Sequence, residues 1–239
     1  GAEVPVLNNI TFSAEPGQTT AIVGPTGSGK STIAALIQRF YDVTAGRILV
    51  DGQDVRAYRQ ADLRARIGYV SQKVVLFSGT VASNILYGNE RATAEEVEHA
   101  ATIAQARDFI ETSPDGYDRA IAQGGANVSG GQRQRLAIAR AIARQPEIYL
   151  FDDSFSALDF RTDALLRQAL AHETAGRTVL IIAQRISTIM HAQKIVVLDA
   201  GSIVGQGTHL ELLATCDVYR EIAASQLTED ELAPAGSAE

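Results

Sequence analysis

The sequence predicts an α/β protein with three parts: a core with a parallel sheet, an antiparallel β subdomain, and an inserted helical subdomain. Three observations carry the prediction. Residues 20–37 pass from a short apolar run through a glycine-rich loop into an apolar helical pattern. Residues 147–210 alternate strand-sized and helix-sized segments, the pattern of a parallel sheet. Residues 73–145, between them, read as mostly helical. The core is therefore expected from both ends of the chain, about residues 1–72 and 146–224, with the helical subdomain at about 73–145.

Taken in order, residues 1–22 and 45–58 read as β-rich. Val4–Phe12 has the look of opening strands, Thr20–Val23 of a buried strand, and Gly46–Gly52 of a strand closed by an Asp-Gly turn. Thr93-Ala94-Glu95-Glu96 matches a capping box and predicts a helix running to about Ile110. Ser113-Pro114-Asp115-Gly116 is a turn. Ser129 and Asp159 are N-cap candidates. Glu147–Asp153 is an apolar strand ending in two carboxylates, and Thr178–Ala183 is a further strand. Lys194–Leu198 and Ser202–Gly205 form a hairpin through Asp199-Ala200-Gly201. Residues 225–239 read as a disordered acidic tail, which closes a domain spanning 1–224.

Gly24-Pro25-Thr26-Gly27-Ser28-Gly29-Lys30-Ser31 is a complete G-x-x-x-x-G-K-[ST] string, and Thr32 continues it into the helix. Strand, loop and helix are the context that makes this string a phosphate site rather than a flexible turn. Glycines let backbone N–H groups close around phosphate oxygens, and the helix N-terminus adds partial positive charge. Lys30 is placed to reach the β and γ phosphates, and the Ser31 hydroxyl to bind Mg²⁺. These residues define a P-loop NTPase core that takes a nucleoside triphosphate.

Ser129-Gly130-Gly131-Gln132 opens a second helical stretch, again with glycines that permit close approach to an anion. Asp152, at a strand end about twenty residues later, has the character of a carboxylate that holds Mg²⁺ through water. In this order the motifs resemble the nucleotide-binding domain of an ATP-binding cassette (ABC) transporter, from about residue 4 to residue 222. They are the phosphate loop at 24–32, Gln72 in Tyr69-Val70-Ser71-Gln72, the signature at 129–132, the acidic strand at 148–153, and Ser156-Ala157-Leu158-Asp159. Val75–Ile85 resembles the stretch after the glutamine loop of exporters. The resemblance implies ATP as ligand, with Ser31, Gln72 and Asp152 around Mg²⁺. It implies a head-to-tail dimer in which each signature caps the nucleotide on the other domain, and Asp159 lies at that interface. It also implies a transmembrane domain in the same parent chain, met by the loop at Gln72, and a location at the cytoplasmic face of the inner membrane.

Two departures from the family pattern stand out. Asp153 occupies the position where Glu usually polarises the attacking water, and its carboxylate is shorter by one methylene, roughly 1.5 Å. Gln184, in Ala183-Gln184-Arg185, stands where the family usually has a switch His. Glutamine donates a hydrogen bond but neither carries a charge nor shuttles a proton. The signature departs only by Val128 before Ser129. The pattern resembles the degenerate-site half of a heterodimeric exporter, whose partner would carry the Glu and the switch His. A self-pairing ATPase and a non-hydrolysing regulatory half are the alternatives. No aromatic precedes Val4, whereas the family stacks adenine on one a few residues upstream, so the reading is of a domain excised from a longer chain.

Composition sets limits on this. A formal net charge of −7 argues against a nucleic-acid surface. Arg133, Arg135, Arg140 and Arg144 read as a solvated face of the signature helix. The single cysteine, Cys216, excludes an internal disulfide and a cysteine-cluster metal site. His209 is expected to cap or decorate the last helix. A chromosome-maintenance ATPase would need a long coiled-coil insertion, and a translation-associated relative would carry two such domains and a basic surface.

Overall fold

The computed structural model describes residues 5–228. In chain order the elements begin with β1 (Thr19–Val23), α1 (Lys30–Ile37), the hairpin strands β2 (Leu49–Val50) and β3 (Gln53–Asp54), and α2 (Gln60–Ala65). There follow β4 (Ile67–Val70), β5 (Gly79–Thr80), α3 (Val81–Leu86), α4 (Ala94–Ile103), α5 (Arg107–Glu111), β6 (Ala120–Ile121) and α6 (Gly130–Ala143). The chain finishes with β7 (Ile148–Asp152), α7 (Phe160–Glu173), β8 (Thr178–Ile182), α8 (Ile186–Ile189), β9 (Lys194–Asp199), β10 (Ser202–Gly207), α9 (His209–Thr215) and α10 (Asp217–Ala224). These form two compact units. One joins the chain up to Arg64 with the chain from Thr178 onward, and the other is Ala65–Arg177.

In the first unit β10, β9, β1 and β8 lie side by side in that order. β1 runs parallel to both neighbours, with Ile22 opposite Ile182 on one side and Val196 on the other. A strand flanked on both edges must be apolar on both faces, and Ala21, Ile22 and Val23 are all fully buried. The β9–β10 hairpin is antiparallel and carries a bulge between Ile203 and Gly205. β2 and β3 make a separate antiparallel hairpin. The result is the expected α/β core with parallel strands, antiparallel additions and helices. The opening strands are not formed: residues 5–18 contain none. Pro5 lacks a donor, and Asn9 adopts φ 49, which breaks the pleat. The segment is tied down instead by Asn8 N–H to Gly201 O and by the Gln206 and Lys194 side chains, which donate to Thr11 O and Ser13 O.

His209 is neither a cap nor a decoration. Thr208 caps α9 in a box with Glu211, and the His209 ring is buried with Nδ1 2.7 Å from the Tyr219 hydroxyl. The tail expected over 225–239 falls outside the described residues from 229 onward. Residues 225–228 are placed, and Gln226 makes hydrogen bonds described below.

In the second unit β4 and β7 pair in parallel. α6 is its central helix: Leu136, Ile138 and Ile142 are almost wholly buried, and α3, α4 and β4 pack on it. Each such side chain contributes about 1.5–3 kcal/mol of burial free energy. The helix expected to run from Thr93 to about Ile110 is two helices. It starts at the predicted capping box, Thr93 with Glu96, but Gln105 turns at φ 55. The Gln105 carbonyl released from the helix ladder accepts from Arg135 Nη1 at 2.6 Å.

That bond belongs to a wider correction. The arginines of α6 do not form a solvated face. Arg133 donates to Gly125 O and Val128 O, Arg140 to Asn84 O, Asn84 Oδ1 and Val75 O, and Arg144 to Ala65 O. Carbonyls of loops and of helix C-terminal turns need donors, and guanidinium supplies five in a fixed fork. Burial lowers the pKa of Arg135 and Arg140. Asn84, 1% exposed, joins the network: it accepts from Phe77 N–H and donates to Phe77 O and Thr80 O.

Two predictions follow from these packing arrangements. Asn84→Ala leaves Phe77 N–H and an Arg140 donor without their acceptor, and should lower the unfolding free energy by about 2–4 kcal/mol in urea titration. His209 gives a pH dependence. Burial first, and the charge of His191 second, lower its pKa, so below the ordinary histidine range the unfolded chain binds more protons than the folded one. Stability should hold from pH 8 to 7 and decline as pH drops through about 6.5. His209→Gln should flatten that part of the urea-midpoint profile.

Candidate functional site

The first unit supplies the phosphate loop, between the end of β1 and the start of α1. Gly24 is required by close approach, since a Cβ there would stand 2.0 Å from the carbonyl oxygen of Leu198. Gly29 lies at φ 100, and a Cβ on it would meet Leu7 Cδ2 at 2.4 Å. The Lys30 ammonium turns back over the loop, donating to Gly24 O at 2.7 Å and Pro25 O at 2.8 Å, with Ser28 Oγ at 3.5 Å. Pro25, Thr26 and Gly27 form the exposed rim, Ser28, Gly29 and Lys30 are buried, and Ser31 is exposed at the first turn of α1, followed by Thr32. Gly29 is the N-cap of α1 and offers no side-chain acceptor to its first-turn N–H groups. Those donors, beside a lysine ammonium, fit a polyphosphate.

Gln184 is also in this unit, two residues beyond β8 and exposed. Its backbone carbonyl accepts from Gln226 Nε2 at 2.9 Å, and Gln226 Oε1 accepts from Ile186 N–H at 2.9 Å. Gln226 lay in the segment expected to be a tail. Its signal is a contact across forty residues, with no local pattern to reveal it.

The second unit gathers Gln72, Asp152 and Asp153 at the ends of β4 and β7. Asp152 is 5% exposed, with the Tyr69 hydroxyl 3.4 Å from its Oδ2. Asp153 takes φ 48, and Gln72 Nε2 donates to its Oδ2 at 3.1 Å. Ser154 donates to Val70 O at 2.8 Å, which locks the two strand ends, and Ser156 Oγ donates to Asp153 O at 3.0 Å. The amide oxygen of Gln72 and the carboxylate of Asp152 are hard oxygen donors of the kind that suit Mg²⁺, which usually keeps waters among its ligands.

The signature begins α6. Ser129 Oγ accepts from Gln132 N–H at 3.2 Å and Gln132 Oε1 accepts from Ser129 N–H at 3.0 Å, a reciprocal capping box. Gly130 and Gly131 lie beside the turn that precedes Asp159; a Cβ on Gly131 would come within 3.2 Å of Ala157 O. Asp159 caps α7: Oδ1 accepts from Thr162 N–H at 3.0 Å and Oδ2 from the Thr162 hydroxyl at 2.7 Å. Those bonds, the backbone one first, hold its carboxyl below the usual range. The sequence-predicted residues thus form two groups: 24–32 with Gln184 in one unit, and Gln72, Ser129–Gln132, Asp152, Asp153 and Asp159 in the other.

The family profile described as ABC transporter matches residues 7–156. An uncharacterised ABC transporter ATP-binding protein of Mycobacterium tuberculosis is 53% identical over 229 residues, 95% of this chain and 39% of the relative. An inferred multidrug export ATP-binding/permease protein of Staphylococcus aureus is 47% identical over 224 residues, 94% of this chain and 39% of the relative. Among solved structures, a bacterial Atm1-family ABC exporter with ATP bound aligns at TM-score 0.91 and 45% identity, over 94% of this chain and 40% of that one. The chain therefore spans about two fifths of the length of these proteins.

The loop geometry yields one prediction. Gly24→Ala should force β1 and β9 apart at Leu198 and lower stability by about 1–3 kcal/mol. The rise in melting temperature produced by MgATP should be lost with it, as thermal denaturation with and without nucleotide will show.

Proposed function

Because the chain belongs to the ABC transporter family, as an ATP-binding domain of exporter type, we propose that it drives export by ATP-dependent head-to-tail dimerisation. In this reading its own site hydrolyses slowly, and its signature completes the competent site of a non-identical partner. The observation that carries the reading is the contrast between two sets of residues. Ser129, Gly130, Gly131 and Gln132 make a fully formed cap at the start of α6, whereas Asp153 and Gln184 stand where the family has Glu and His.

In this reading each residue takes the role that its family position implies. The loop 24–32 presents N–H groups to the phosphates, with Lys30 against the β and γ oxygens. Ser31, Gln72 and Asp152 would hold Mg²⁺, which would supply neutralisation of the charge that builds on the phosphate oxygens. Asp153 accepts the proton of the attacking water. Its carboxylate is held by Gln72, and its reach is one methylene short. Gln184 donates to the γ-phosphate without the charge an imidazolium would bring. A mis-set base typically forfeits ~10²–10⁴ in rate.

The transmembrane partner is proposed from family membership and from a surface on the second unit. Val75, Phe77 and Tyr87 are exposed together, with the two rings 4.4 Å apart and Arg140 beneath both. This patch lies just after Gln72, the loop by which an exporter's membrane region would pass motion to the nucleotide site. The location proposed is the cytoplasmic face of the inner membrane. No helix among the described residues is long and apolar enough to cross a membrane. A nucleic-acid partner is not proposed.

The test is MgATP turnover at high protein concentration, comparing the chain with its Asp153→Glu, Gln184→His double variant. The expected result is slow or absent turnover by the parent and a gain of at least a hundredfold in the variant. Comparable turnover by both would favour a self-pairing ATPase. Silence from both, with nucleotide still bound, would favour a regulatory half.

A further inference from the structure

We propose that Gln226 is a positioning residue for Gln184, so that the segment after α10 sets the geometry of the γ-phosphate switch. The inference deepens the function proposed above and rests on it. Its basis is one side chain that makes two backbone bonds. Gln226 Nε2 donates to Gln184 O and Gln226 Oε1 accepts from Ile186 N–H, each at 2.9 Å. A primary amide used in this way copies the donor–acceptor pair of a neighbouring β-strand, and it grips the backbone on both sides of Arg185.

The backbone there has reason to need the grip. β8 ends at Ile182, and its ladder continues by one bond, from Ala183 N–H to Ile22 O. α8 begins at Ile186 with Arg185 as N-cap, and Arg185 contributes no side-chain cap. Gln226 thus acts as a remote cap for α8, forty residues distant in sequence. It is itself anchored at the end of α10, where its N–H bonds Ala223 O at 3.0 Å and where Tyr219 and Ala223 are fully buried. The path runs from a packed helix to a rigid amide, and from there to the carbonyl of Gln184. A hydrogen bond from the Gln184 side chain to a phosphate oxygen needs its Cα fixed to within a few tenths of an ångström. The loop 24–31 has its own supports and does not depend on this clamp.

Amide hydrogen exchange of the whole chain, with and without MgATP, tests the inference in the parent, Gln226→Ala and Gln226→Glu. Gln226→Glu keeps an acceptor for Ile186 N–H but sets a carboxylate against Gln184 O. Without nucleotide, exchange at Ile186 should rise about tenfold or more in Gln226→Ala. With MgATP, residues 26–31 should gain protection equally in all three proteins, whereas residues 184–186 should gain it in the parent and lose that gain in both variants. In the Asp153→Glu, Gln184→His background, Gln226→Ala should lower kcat about three- to tenfold with KM within twofold. Equal nucleotide-induced protection of 184–186 in parent and variants would overturn the positioning role. A fall in urea midpoint accompanied by equal losses in kcat and nucleotide affinity would overturn it as well, in favour of a merely structural contact. Absence of protection at 26–31 in the parent would instead remove the nucleotide-binding reading, and the inference with it.

Discussion

A helix begins with four N–H groups that have no partner within it, and how the helices beside the candidate site meet that demand shapes the loops around it. α3, α4, α6 and α9 satisfy it locally, each with a reciprocal capping box, and α7 uses the carboxylate of Asp159. α8 borrows the amide of Gln226. α1 receives no side-chain cap, and its first turn is left to the glycine loop and Lys30. The same electrostatic need is thus met by near residues in α3, α4, α6, α7 and α9 and by a distant residue in α8, while α1, like α5 and α10, has no side-chain cap.

The second unit answers the corresponding demand of carbonyl oxygens. Its segments at 75–78, 105 and 125–128 have irregular backbone and Asn84 lies in the last turn of α3, and the arginines of α6 reach out to these carbonyls. Arg140 also lies beneath Phe77 and Tyr87, so the exposed aromatic surface and the signature share one rigid helix. The same guanidinium donates to Val75 O and Asn84, and it sits on the helix that Ser129 caps. The aliphatic stems of the arginines pack as well as their heads donate, which makes the helix a strut rather than a solvated ornament.

What could be read from the sequence follows from range. The phosphate loop, the box at Thr93–Glu96, the caps at Ser129 and Asp159 and the hairpin from Lys194 all depend on residues within a few positions of each other, and each is present. The break at Gln105 was not legible, because nothing about glutamine signals a left-handed residue and its support comes from Arg135, thirty positions away. The missing opening strands have the same origin: Val4–Phe12 alternates well enough, but pairing depends on partners that pattern alone does not supply. His209 and Gln226 are polar residues whose meaning lies in contacts distant in sequence, so one read as a cap or decoration and the other as part of a tail rather than as a buried ring and a clamp.

The turn at Asp153 has one further consequence. Its φ of 48 lies in the left-handed region, where a residue with a side chain typically incurs about 1–3 kcal/mol. Aspartate is among the residues that tolerate this conformation best, because its short carboxylate can bond locally, whereas glutamate is too long to do so. The aspartate at this corner is therefore a residue that suits the backbone. A longer side chain at this corner would hold more conformational tension in the strand end. An easier turn is then one result of the missing methylene; under the function proposed above, slow hydrolysis would be the other, a local exchange of activity for stability.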